Sequence, residues 1–144
     1  MILTVETALR GVADILRTRI APAIDDKFAG ETARLAELLL TLNAGWVNDA
    51  VAIRVAEHIR VRAMFADAQA LIGDAGLALR IAEAARSRDP GLKISELDAE
   101  SSRLRTLLAE LHAHVDEIDS DAGRDFGKRI WRALADFETA RAPH

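Results

Sequence analysis

Arg54, His58 and Arg62 recur at every fourth residue, so on a helix they form one cationic stripe with Arg60 beside it. Guanidinium and imidazole groups in such a row can hold phosphate or carboxylate through charge-assisted hydrogen bonds. These three residues are the candidate ligand-binding set. The same stripe can instead pair with acids of the chain. Residues 95–125 carry nine acids against three bases. Pairing within or between subunits is therefore the plainer expectation, an exposed pair contributing about 0–1 kcal/mol.

Glu110, His114 and Glu117 fall at i, i+4 and i+7, which puts two carboxylates and an imidazole on one helix face. Carboxylate-bridged metal bundles use such groups. They need Glu-x-x-His from two helices and Glu from two more. Here the order is His-x-x-Glu, and His58 has Glu57 directly before it with no Glu three residues upstream. The face reads as a solvated flank in which Glu110 and His114 support each other. Asp119, Asp121, Gly123 and Asp125 have the alternation of a calcium loop, but a twelve-residue loop from Asp119 ends at Ile130 instead of Glu, and its Gly falls at position five instead of six. An acidic turn capping the last helix is the simpler reading, with Ser120 or Asp121 as the cap. No nucleophile elbow, phosphate loop, dinucleotide fingerprint or His-Glu-x-x-His occurs, and without Cys there is no thiol nucleophile. No catalytic residue, metal ligand or cofactor is assigned.

The elements that position these groups are helices. Ile2, Val5, Leu9, Val12, Leu16 and Ile20 line one face of a first helix, and Pro22 to Gly30 make a turn. Leu35, Leu38, Leu39 and Leu42 begin a second stripe, which resumes through Val47, Val51, Val55 and Ile59 to Ile72. Residues 31–72 are either one kinked helix or two helices, with a break expected near Asn43–Asn48. Asp74 caps a short helix that ends before Asp89-Pro90-Gly91. Ser95 and Asp98 resemble a capping box, with Ile94 as the apolar residue before it. Leu97, Leu104, Leu108, Leu111, Val115 and Ile118 keep a seven-residue pattern in the long helix that follows, with Ser101 in a place where the pattern calls for an apolar residue. Phe126, Ile130, Leu134 and Phe137 mark the last helix, and Ala142, Pro143 and His144 a frayed tail. The expected core includes Leu9, Leu16, Leu39, Val55, Ile59, Leu104, Leu108, Leu111, Ile130 and Leu134.

Composition agrees. The 144 residues include 28 Ala and 18 Leu, and half of the chain is hydrophobic with only 4% aromatic, a helix-former's balance. The fold expected is an all-α antiparallel bundle of five or six helical segments, four of them substantial, in a single domain over 1–144. A net charge of −4 gives no reason to expect nucleic acid. The longest run free of charged residues, Leu38–Asn48, is too short to span a membrane. Glu6 interrupts any signal peptide, and the Cys-free chain fits the cytoplasm.

Three functions are carried forward: first a noncatalytic helical interaction or accessory module, then an anionic small-molecule binder using Arg54, His58 and Arg62, and third a metal-dependent bundle enzyme. Apolar surface around residues 47–72, with Trp46 and Trp131 as interface residues, leads to the expectation of a homodimer, with a protein partner a further prospect.

Overall fold

The structure, a computed structural model, describes residues 2–142 and is all-α, with six α-helices among them. Two compact units divide the chain, residues 2–50 and Val51–Ala142. In the first, α1 spans Val5–Ile15. Periodicity alone would start it at Ile2. Thr4 moves the start inward, because its hydroxyl accepts from the Thr7 N–H at 3.1 Å.

The helix does not end cleanly. Residues Leu16–Ile20 widen into a π-helical turn and Ala21–Ala23 tighten into a 3-10 turn. Pro22 accounts for this, since it lacks an N–H and its ring clashes with the carbonyl four residues back, which opens the register before it. The Asp26 carboxylate then accepts from the Ala29 N–H at 2.6 Å and starts α2, Lys27–Val47. That cap ends the turn earlier than the sequence suggests and leaves Gly30 buried inside the helix.

Helices α1 and α2 form a hairpin. Glu6 near one end of α1 accepts from Asn48 just beyond α2, and Arg17 approaches Glu37 at 3.8 Å. The positions this unit buries are all small: Ala13, Ala21, Gly30, Ala44 and Ala50. Gly30, Glu37 and Ala44 are seven apart and share the side of α2 that meets the first helix. Leu35, Leu38 and Leu39 lie roughly opposite and are exposed. Leu39, expected in the core, is therefore outside it, while Leu9 and Leu16 are half-buried.

The second unit starts within α3, Ala50–Asp67, whose first residue belongs to the first unit and which continues as a 3-10 turn, Ala68–Leu71. The turn at Asn48 and Asp49 separates it from α2, so residues 31–72 hold two helices, and Gly45 is inside the first. Asp74 caps α4, Ala75–Arg86, accepting from the Leu77 N–H at 2.7 Å. The long α5, Ile94–Asp116, begins one residue before Ser95. Its first turn is closed by Glu96, which accepts from the Lys93 N–H at 3.4 Å, so Ser95 and Asp98 are not the cap. Ser120 caps α6, Asp121–Arg141, accepting from the Gly123 N–H at 3.1 Å. A Cβ at Gly123 would sit 2.8 Å from the Ile118 carbonyl oxygen, so this tight turn requires glycine. Ala142 follows α6 as its cap, and Pro143 and His144 of the expected tail lie outside the described residues.

One core joins α3 to α6 in this unit. Met64 and Phe65 from α3, Ile81 from α4, Leu108 and Leu111 from α5 and Ile130 from α6 are almost fully enclosed. Leu104 is buried with them and Leu134 packs at the edge. Val55 is half-buried and Ile59, expected inside, is 63% exposed. The reason lies on the same helix: α3 turns Glu57 and His58 inward, and Ile59, about 100° further round, must face out.

Candidate functional site

The interior at the N-terminal half of α3 is ionic. Glu57, His58, Glu100 and Ser101 are buried, and His58 has no exposed surface. Its Nδ1 lies 2.8 Å from Asp89 and its Nε2 2.7 Å from the Ser101 hydroxyl. A carboxylate can only accept, so Nδ1 carries a proton toward Asp89, and Nε2 shares the second hydrogen bond with the Ser101 hydroxyl. Arg62 donates to the same Asp89 oxygen at 2.8 Å and to Glu100 at 2.6 Å. On the other side Glu57 is gripped by Arg105 at 2.6 Å and Arg141 at 2.9 Å. Arg54 closes the row, donating to Asp98 at 2.6 Å.

All three residues of the sequence-derived ligand set are thus brought into one network, each facing groups of this chain. Two of the carboxylates, Asp98 and Glu100, come from the acid-rich stretch of α5. The third, Asp89, sits in the loop between α4 and α5. Its place before Pro90 reads in the sequence only as a turn residue. Glu57, Arg105 and Arg141 carry no distinguishing signal either, being ordinary helix charges by spacing. Ser101 does have one: a hydroxyl in an otherwise apolar seven-residue pattern must find a polar partner on burial.

Ser101, His58 and Asp89 are linked in the order of a hydrolase triad. Such a triad also needs a reachable hydroxyl and oxyanion donors. Ser101 is 5% exposed and lies mid-helix, where backbone N–H groups are bonded along the helix. Arg141 donates to the same hydroxyl at 3.4 Å. What this arrangement does chemically is hold charge: apart from Arg105 Nη2, which is buried without an acceptor among the described residues, its donors and acceptors pair with one another and fix how α3, α5 and α6 meet.

Electrostatics follow from the pairings. Burial opposes ionisation of Asp89, but hydrogen bonds from Arg62 and His58 outweigh it and hold the carboxyl below its ordinary range. Glu57 is likewise penalised by burial and pulled down by Arg105 and Arg141. For Glu100 the hydrogen bond from Arg103 leads, against burial and with help from Arg62. Asp98 is lowered chiefly by Arg54. A carboxyl depressed in the folded state contributes stability that is present above its unfolded pKa and disappears as pH falls through the folded one. Urea midpoints should accordingly be level near neutrality and fall steadily below about pH 4.5, the upper end of the ordinary carboxyl range. A midpoint unchanged between pH 6 and pH 3 would contradict the network's part in stability.

The remaining sequence candidates are dispersed. Glu110 pairs with Arg80 at 2.6 Å, and His114 accepts from the Gly73 N–H at 3.3 Å. Arg124 bridges Asp119 and Asp121 at 2.9 and 2.8 Å. Among the described residues no three His, Asp or Glu side chains converge as a metal site would require. Trp131 is 65% exposed, its ring in T-shaped contact with His112. Trp46 is partly buried at the C-terminal end of α2, and its indole N–H has no acceptor among the described residues.

No family model matches the chain, and no curated protein or solved structure matches it.

Proposed function

We propose that this chain is a noncatalytic helical interaction module whose contact surface is the hairpin of α1 and α2. One observation carries the reading: the hairpin buries only small residues while Val5, Val12, Phe28, Leu35, Leu38 and Leu39 are each at least half exposed. Large apolar side chains gathered on one element are the mark of an association surface. The ionic interior of the second unit supports the same reading, since its polar groups are consumed by one another. A cytoplasmic location and a homodimer belong to this proposal; of the two expected interface residues Trp46 lies on the hairpin, whereas Trp131 lies on α6, outside the proposed contact surface. Assays of the purified chain on esters, amides and phosphoesters are expected to show no turnover. Turnover abolished by Ser101→Ala would overturn the proposal in favour of a hydrolase.

An anionic ligand is the second reading, favoured by a groove of about 660 Å³ along α4 and α5. Arg80, Arg103, Ser87 and Thr106 line it together with Glu83 and Glu110, the latter paired with Arg80 at 2.6 Å, and Ser87 also accepts from Arg62 at 3.2 Å, so one member of the cationic stripe backs the groove. Inorganic pyrophosphate should then raise the melting temperature, and Arg103→Gln should abolish the rise. No rise at millimolar pyrophosphate removes this reading.

A further inference from the structure

Phe28, Leu35, Leu38 and Leu42 follow spacings of seven, three and four along α2, the a and d positions of a helix-pairing seam, and Leu39 and Trp46 widen the seam on one side. It runs on the side of α2 roughly opposite the one that meets α1; Leu42 and Trp46 are partly buried, and the rest of the seam is open. Phe28 is 80% exposed, and Leu35, Leu38 and Leu39 are each about half exposed.

We infer that this seam is covered by the hairpin of a second copy of the chain. The inference rests on the reading of the hairpin as the contact surface and names its occupant. A heptad seam is complementary to another helix with the same spacing. Among the described residues, the helices with large apolar side chains exposed at such spacing are α2 itself and α1, through Val5 and Val12. A surface that fits its own copy closes as a two-fold dimer.

Area supports the match. The exposed parts of Phe28, Leu35, Leu38 and Leu39 come to on the order of 500 Å² per copy, so two copies seated seam to seam bury about 1,000 Å², the threshold for a specific interface. Val5, Val12, Ile15 and Ile20 hold roughly 400 Å² more per copy, enough to bring the contact into the standard range when helices of the second hairpin lie across them.

Light scattering of the full chain at tens of micromolar tests this. The expected mass is about 31 kDa, twice the 15.7 kDa of one chain. Leu38→Glu places a charge in the seam without touching the buried positions, and should weaken the dimer about a hundredfold or more while helicity by circular dichroism is retained. Leu35→Glu, one turn away, should do the same, whereas Trp131→Glu should leave the mass at the dimer value. A dimer that survives both seam substitutions, or one dissolved by Trp131→Glu, overturns the assignment. A mass of 15.7 kDa for the unaltered chain also overturns it, and maleimide labelling of a Leu38→Cys variant, the chain having no other Cys, then separates the two levels. Fast labelling leaves the face open and the interaction reading standing with a different partner. Slow labelling means the chain covers its own seam, and both fall.

Discussion

Replacing Arg62 by Met should lower the free energy of unfolding by about 3–5 kcal/mol, the range for breaking a buried ion pair by removing one partner. Arg62 is 12% exposed at its side chain and stands between Asp89, 15% exposed, and Glu100, 9% exposed. Met fills the space of the aliphatic stem and removes the charge, leaving two poorly solvated carboxylates without their shared cation. Arg103 still reaches Glu100 at 2.6 Å, and His58 still reaches Asp89, so the low end of the range is expected where these take up the load. Arg60→Met is the control on the same helix. That residue pairs with Asp136 at 2.7 Å, but the two side chains are 42% and 64% exposed, and such a pair contributes about 0–1 kcal/mol. Urea unfolding followed by circular dichroism measures both. Equal effects at the two positions would show that burial of the network does not set its energy.

Leu108→Ala should cost about 2–5 kcal/mol, the transfer of the lost methyl and methylene groups plus the cavity they leave. Leu108 is 1% exposed in the core shared by α3, α4, α5 and α6, where surrounding groups can collapse only in part. Ile59→Ala removes as many carbons from a residue that is 63% exposed. A change of about 0.5 kcal/mol or less is expected there, as for surface substitutions generally. The pair of measurements separates a helix oriented by its hydrophobic stripe from one oriented by its buried charges. A loss at Ile59 equal to that at Leu108 would mean that α3 is rotated from the orientation described.

That contrast marks where sequence reasoning reached its end. The seven-residue pattern of α5, the caps at Asp74 and Ser120 and the interruption at Asp89-Pro90-Gly91 are local, and their physics acts within a few residues: a carboxylate or hydroxyl on a free N–H, or a ring that cannot continue a helix. Boundaries shifted only where two local signals competed. Asp26 captured the start of α2 before Gly30 could extend the turn, and Glu96 closed the first turn of α5 ahead of Ser95.

The sequence by itself determined the helices and most of the core of the second unit, because apolar spacing on a helix states which residues want to leave water, but it left residues 31–72 open between one kinked helix and two. It also named Arg54, His58 and Arg62 as one stripe and pointed to acids of α5 as their counter-charges. Only the tertiary structure decided that His58 is enclosed between Asp89 and Ser101 and that Glu57 is held by two arginines, since these partners lie 31 to 84 positions apart in the chain and no local rule pairs them. It likewise decided which apolar stripes are satisfied. Leu35, Leu38 and Leu39 have the same spacing as residues that are buried elsewhere, yet α2 turns Glu37 toward Arg17 and buries Gly30 and Ala44 instead. Periodicity specifies that a face seeks cover; packing alone selects which face receives it.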